Sequence, residues 1–243
     1  MQDGGEPEAA TTAATDRPLT AAVHGIQHRL AVYAKGREAV ARIVEAALDV
    51  LIHEGFGAMT LRRVASACGQ RVGNVTYYFA TKEDLLRAVL DVVEAGYFEA
   101  ITDLRSRTNE TAEKRFALWI RFVLEDIQNE RTTKLFSELW ALANQNTFVN
   151  DAVNRIYERG RNILRELIEE LNPSLDPEER ETVAVFIQAA TEGMTIFAGY
   201  GKPFYQRMPW LSAIATDNLT ALIKTIDSAT IRQGVLPVLW RRV

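Results

Sequence analysis

Apolar residues recur along this chain at steps of three and four. Val40, Ile43, Val44, Ala47, Leu48 and Leu51 fall on one face of a helix. Gly55-Phe56-Gly57 is placed to stop it. Thr60 stands where an N-cap belongs, ahead of a short helix over 61–68 that Gly69 ends. A second short helix is predicted over 72–79. Thr81-Lys82-Glu83-Asp84 then puts an acidic residue at the third helical position after a threonine N-cap, close to a capping box. It opens a long helix with Leu85, Leu86, Val89, Val92 and Val93 among its apolar positions. Further helices are predicted at roughly 110–129, 132–144, 148–171, 177–199 and 209–231. The sharpest boundary is Asn172-Pro173-Ser174-Leu175-Asp176-Pro177. There Asp176 suits an N-cap, Pro177 the first helical position, and Glu178 and Glu179 the positive helix end. Residues 199–209 read as a loop. No alternating apolar-polar run supports a sheet. The pattern predicts an all-α protein of about nine helices.

Composition adds bounds. The chain has 243 residues, 47% hydrophobic and 25% charged, with a formal net charge of −4. That is an ordinary globular composition, long enough to bury a core without a disulfide or metal staple. The one cysteine, Cys68, allows no intrachain disulfide and fits a reducing compartment, so a cytoplasmic location is expected. His24, His28 and His53 lack metal-ligand spacing, and neither a metal nor a cofactor is expected. Residues 1–16 have the composition of a disordered tail and lack the basic and apolar regions of a signal peptide. The most apolar stretch, 183–200, is interrupted by Gln188, Thr191, Glu192 and Thr195, which favours a buried helix over a membrane span. Residues 17–37 carry Arg17, Arg29, Lys35 and Arg37 with no acidic residue. The division expected is a flexible tail over 1–34, basic from about 17, a helix-turn-helix domain over 35–90 and a larger helical domain over 91–243.

The informative stretch is 37–90. Two short helices joined by a glycine-containing turn, between longer ones, form a helix-turn-helix arrangement. The second short helix of such a unit lies in the major groove with its N-terminal residues on base edges. Its chemistry here suits that place. Arg71 pairs with guanine and Asn74 with adenine, although either also serves as a plain solvated helix residue. Val72 and Val75 are apolar enough for thymine methyls, but one of them must face the core. Gly73 allows close approach, and Thr76 and Tyr77 offer hydroxyls to phosphates. Thr60 and Lys82 stand at helix N-termini, where backbone N–H groups attract a phosphate.

These residues resemble the DNA-binding domain of TetR-family (tetracycline-repressor-like) transcriptional regulators. The resemblance rests on four elements in order: the Gly-Phe-Gly-x-x-Thr entry at 55–60, the Ala-Cys-Gly turn at 67–69, the Tyr-Tyr-Phe end at 77–79, and Lys82-Glu83-Asp84-Leu85. It covers about 37–90. The chain departs from the family pattern at Thr76, where a tyrosine is frequent, and at Gln70-Arg71, where a Val-Ser-like pair is usual. The acidic total no longer argues against DNA. Residues 29–90 hold nine Lys/Arg against six Asp/Glu, a balance of +3 that leaves −7 elsewhere.

Beyond residue 90 the chain is rich in aromatics. Most belong in a core, but helical pockets are lined by such side chains, and Trp119, Phe122, Phe136, Trp140 and Phe186 are the candidates for one. Glu192 stands in an apolar helix, where it reaches solvent, meets a ligand's polar group, or pairs across an interface. Leu211, Ala215, Leu219, Leu222 and Ile226 form a stripe that faces either the chain's own core or a second copy. The family resemblance implies that the last helix pair makes a four-helix bundle in a homodimer. It also implies a palindromic operator on double-stranded DNA, a small and largely apolar effector that releases it, and most often repression. The residues contain no HExxH, CxxC, P-loop or nucleophile elbow, so an enzyme is disfavoured. A scaffold that binds only protein is the other alternative.

Overall fold

A computed structural model describes residues 34–106 and 110–233; the tail over 1–33 lies outside the described residues. Every regular element among the described residues is helical. The order is α1 (Ala34–Ala58), α2 (Leu61–Ala67), α3 (Val72–Tyr78), α4 (Lys82–Arg105), α5 (Ala112–Asp126), α6 (Glu130–Ala143), α7 (Thr147–Leu171), α8 (Pro177–Glu192), α9 (Met194–Ala198), a 3₁₀ turn (Tyr205–Arg207), α10 (Met208–Thr225) and α11 (Ser228–Gln233).

The caps are where the sequence places them. Thr60 accepts a hydrogen bond from the Arg63 N–H at the start of α2. Thr81 and Asp84 exchange bonds at the start of α4, the Thr81 N–H to the carboxylate and the Asp84 N–H to Thr81 Oγ1. Asp176 and Glu179 form a full capping box on α8. Two long helices expected over 177–199 and 209–231 are each divided. At Gly193 the ladder tightens, with Ile196 N–H donating to Gly193 C=O, and α9 begins. At Ile226 the backbone turns extended, and the freed carbonyls of Ile223 and Ile226 are taken by the buried Asn172 amide. The first helix does not stop at Gly55 but breaks there: Gly55 has φ 81°, and α1 resumes to Ala58. The Glu138 carboxylate accepts from the Phe56 N–H at that break.

The apolar stripe of α1 is wholly buried. It belongs to a core body that does not end at Leu90. That body joins α1–α3 and the first turns of α4 to Leu135, Phe136 and Leu139 of α6 and to Val149, Val153 and Ile156 of α7. A second body lies beyond it. It gathers Phe116, Trp119 and Ile120 of α5, the C-terminal half of α7, and α8, α9 and α10. α4 and α7 run through both bodies and tie the helix-turn-helix to the rest of the chain.

Candidate functional site

The N-terminal surface is built around Val75, fully buried under α3, and Phe79, 6% exposed. These anchors turn the rest of α3 outward. Arg71, Val72, Gly73, Asn74, Thr76 and Tyr77 are all exposed, Tyr77 by 82%. Of the two valines, Val75 is the core residue and Val72 the free one. Asn74 makes only a 3.5 Å contact to Gln70 Oε1, so its amide is available. The Thr76 hydroxyl donates to the Gly73 carbonyl at 3.2 Å and is engaged within its own helix. The Tyr77 ring is held edge-on to Tyr78, centroids 5.0 Å apart, and its hydroxyl faces out. Gly69, at φ 66°, makes the turn between α2 and α3.

Lys82 sits differently from its neighbours. It is half-buried, its ammonium donates to the Phe56 carbonyl at 2.5 Å and lies 3.7 Å over the Phe56 ring. Burial lowers its pKa, with Glu83 acting in the opposite sense. The side chain therefore locks α4 to the end of α1, and what α4 offers a phosphate is its backbone N-terminus. Arg62 is exposed beside Thr60, a cation the sequence reading passed over; Arg63 is paired with Glu54 at 2.5 Å.

The second candidate site is a cavity of about 50 Å³ at the seam between the two core bodies. Of the aromatic candidates Trp119, Phe122 and Phe136 line it. Trp140 stands behind the wall and donates its indole N–H to the Tyr157 hydroxyl at 2.7 Å. Phe186 is elsewhere: it is 55% exposed on the outer face of α8 and corrects the expectation that it lines a pocket. Glu192, partly buried, lines the cavity, because α8 is rolled with Ile187 and Thr191 inward. Gly160 completes the floor. A Cβ there would stand 3.2 Å from the Trp119 ring, so glycine is what lets the indole lie on the backbone of α7.

Tyr97, Asp126, Thr132, Tyr157 and Thr195 also line the cavity, and no sequence signal pointed to them. Asp126 accepts from the Tyr97 hydroxyl at 2.6 Å and from Thr132 Oγ1 at 3.1 Å. Burial pushes its carboxyl up to about 6, against the pull of those two hydrogen bonds. Glu192 is pushed up to about 8, first by burial and then by the Asp126 charge, with the Tyr157 hydroxyl opposing. Two acids thus face one small space lined by rings.

The stripe Leu211, Ala215, Leu219, Leu222 and Ile226 faces inward, a second correction. Ala215 and Leu219 are buried, and the other three pack against the distal core. Turned outward from α10 are Trp210, 67% exposed, and Ile214, 59% exposed; Phe186 of α8 and Ile196 and Phe197 of α9 are exposed as well.

Known proteins share this arrangement. The family model for the N-terminal part of bacterial tetR-family regulatory proteins matches residues 43–89. The model described as BetI-type transcriptional repressor, C-terminal, matches 111–224. An HTH-type transcriptional regulator from the dhlA 5′ region of Xanthobacter autotrophicus is 27% identical over 164 residues, 65% of this chain and 78% of that protein. A tetR-family regulatory protein from Rhodococcus RHA1 has the same fold with TM-score 0.60 at 19% identity, over 78% of this chain and 98% of that one. A TetR regulator from Haloarcula marismortui gives 0.61 at 21%, over the same shares. With both halves matched in order and the helix-turn-helix exposed as such a regulator needs it, the chain belongs to the TetR family of DNA-binding transcriptional regulators.

Proposed function

We propose that this regulator is a homodimeric repressor that binds a palindromic operator and leaves it when a small molecule enters the seam cavity. The observation that carries the DNA reading is the outward face of α3, where Arg71, Val72, Asn74 and Tyr77 are exposed and Val75 and Phe79 hold the helix in place. Arg71 and Asn74 read base edges. Gly73 permits the approach, Val72 meets a thymine methyl, and Tyr77 with the N-termini of α2 at Thr60 and α4 at Lys82 contacts phosphates. The Thr76 hydroxyl has a smaller part, since Gly73 already accepts it.

The dimer face in this reading is the one made by Phe186, Phe197, Trp210 and Ile214. Large exposed apolar side chains carried by three successive helices mark an interface. A twofold pair of chains would set two copies of α3 at half-sites about one DNA turn apart. As a DNA-reading protein it acts in the cytoplasm.

Release follows from where the cavity lies. α6 gives it Thr132 and Phe136, and the same helix reaches the helix-turn-helix through Glu138 at the Phe56 N–H and through the Arg131–Asp49 ion pair at 2.8 Å. α4 gives it Tyr97 and Ile101 and begins at Lys82. A ligand that fits only a wider seam favours a conformation in which α4 and α6 shift and the two recognition helices move apart. Its leverage equals its difference in affinity for the two conformations. DNase footprinting of the DNA flanking the chain's own gene tests the reading. Two protected half-sites related by a twofold axis are expected, and no protected duplex at low salt would overturn it.

A further inference from the structure

Every helix from α4 to α9 reaches the seam cavity, and two of them bring a carboxyl group to it. Asp126 of α5 is gripped from two sides: Tyr97 of α4 donates to it at 2.6 Å and Thr132 of α6 at 3.1 Å. Glu192 of α8 is met by the Tyr157 hydroxyl of α7. The oxygen of that hydroxyl already accepts from the Trp140 indole at 2.7 Å, so its own proton is turned to the carboxyl. Glu192 feels the charge of Asp126, and Tyr97 feels both. Among the described residues no cation faces either acid: α6 presents Thr132 and Phe136, α9 presents Thr195, and Arg161 of α7 is engaged by the Gln188 amide, Glu158 and Glu181.

A cavity of about 50 Å³ holds too little water to hydrate two carboxylates, and like charges that share a small space do not ionise together. The closed seam therefore keeps a proton on the acid pair. A wider seam admits water, and each carboxyl there titrates in its ordinary range. The two forms differ in bound protons, so pH chooses between them. We propose that Asp126 and Glu192 form a proton-operated latch: the proton they hold keeps α5 against α8 and the seam closed, and its loss as the medium turns alkaline opens the seam and releases the operator. The latch rests on the release reading above, in which α4 and α6 carry a change at the seam to the helix-turn-helix, and it adds a second input to the same movement. Tyr97 and Thr132, the two groups that hold Asp126, belong to those same two helices. Both helices also end on one residue: Lys82 of α4 donates to the Phe56 carbonyl, and Glu138 of α6 accepts from the Phe56 N–H. A shift of either helix therefore pulls on Phe56, at the break in α1.

Both carboxyls push in one direction. Glu192 is raised to about 8 in the closed form by burial and then by the Asp126 charge, against the Tyr157 bond. Asp126 is raised to about 6 by burial, against its two hydroxyl donors. Burial pushes the Tyr97 and Tyr157 hydroxyls up as well, so both stay protonated. The closed form thus binds more protons than the open one from the ordinary carboxyl range up to about 8. Across that window each unit of pH favours opening by about tenfold per proton, and above it the gain levels off.

The test is operator affinity of the full chain by fluorescence anisotropy from pH 6 to 9 at fixed salt. Circular dichroism checks the fold at each pH, and ¹³C NMR of the side-chain carboxyls reads the proton directly. The wild type should lose operator affinity by about tenfold or more between pH 6 and 8.5. One glutamate carboxyl, assigned by its absence in Glu192→Gln, should titrate well above the ordinary range. Glu192→Gln, neutral at every pH, should bind the operator at pH 8.5 as the wild type does at pH 6. Asp126→Asn should keep a smaller fall, because the like charge is gone. Tyr157→Phe should move the fall to higher pH, because the hydroxyl it removes favours the Glu192 carboxylate. An equal fall in Glu192→Gln, which keeps His53 and every DNA-facing group, would overturn the latch and leave the release reading standing. A Glu192 carboxyl that titrates in the ordinary range would do the same. A raised Glu192 carboxyl with operator affinity constant from pH 6 to 9 would overturn the latch and, with it, the coupling of the seam to α3.

Discussion

Replacing Asn74 by alanine removes one amide from an exposed helix face and little else. In the free protein that amide has a single contact, 3.5 Å to Gln70 Oε1, and Asn74 is exposed. The substitution should therefore change stability by less than about 0.5 kcal/mol. On DNA the consequence is larger. A bidentate contact to one base discriminates by about 1–3 kcal/mol, and two half-sites double it to about 2–6 kcal/mol, roughly 30-fold to 10⁴-fold in affinity. The assay is fluorescence anisotropy with the footprinted operator and with a scrambled duplex of equal length. Asn74→Ala should lose affinity for the operator and keep its affinity for the scrambled duplex. Tyr77→Phe is the contrast, because loss of a phosphate contact weakens both duplexes alike. If Asn74→Ala binds the operator as tightly as the wild type with unchanged discrimination, Asn74 is not a base reader and the placement of α3 in the groove needs another anchor.

Three further outcomes follow from the geometry. Phe197→Glu combined with Trp210→Glu should give a folded monomer by sedimentation, since both side chains are exposed, with operator affinity down by about 10²–10⁴ through loss of the linked second half-site. Gly199→Ala should destabilise by about 1–3 kcal/mol in urea unfolding, because its Cβ would stand 2.6 Å from the Thr195 carbonyl and 2.9 Å from Thr133 Oγ1, atoms of the packed loop that cannot yield freely. Stability should fall as pH rises from about 4.5 to about 8: Glu192 keeps its proton in the folded state up to about 8 and loses it near 4.5 when unfolded, so the folded state binds the extra proton across that window. Between pH 6 and 8 the loss is roughly 1–3 kcal/mol by denaturant titration, and Glu192→Gln should remove most of it.

What was legible in the sequence is what local chemistry determines. Thr60, Thr81 and Asp176 announce helix starts because each cap closes within three residues, and Gly69 announces its turn because few other residues adopt its φ. The helix-turn-helix is made of such local signals, and so it was readable. The inward side of α10 was not. A stripe such as Leu211, Ala215 and Leu219 says that one face is covered, not by which chain, and the opposite face of the same helix carries Trp210 and Ile214. The choice was settled by packing against α5 and α8, which no spacing within α10 encodes. The cavity was legible only in its rings. Asp126 ends α5 and carries no local signal of burial; only the approach of Tyr97 and Thr132 from two other helices makes it an inward acid. Its pairing with Glu192, far along the chain, is a tertiary fact. Phe186 misled because an aromatic residue on a helix is core, pocket or interface with the same local pattern.

The most direct test of the account is specificity of duplex binding across a salt series. Anisotropy titrations of the full chain on the footprinted site and on a scrambled duplex should give a ratio of affinities of about 10³ or more that persists as salt rises, while both affinities fall log-linearly with salt. Equal affinity for the two duplexes at every salt concentration would contradict the claim that the exposed face of α3 reads an operator.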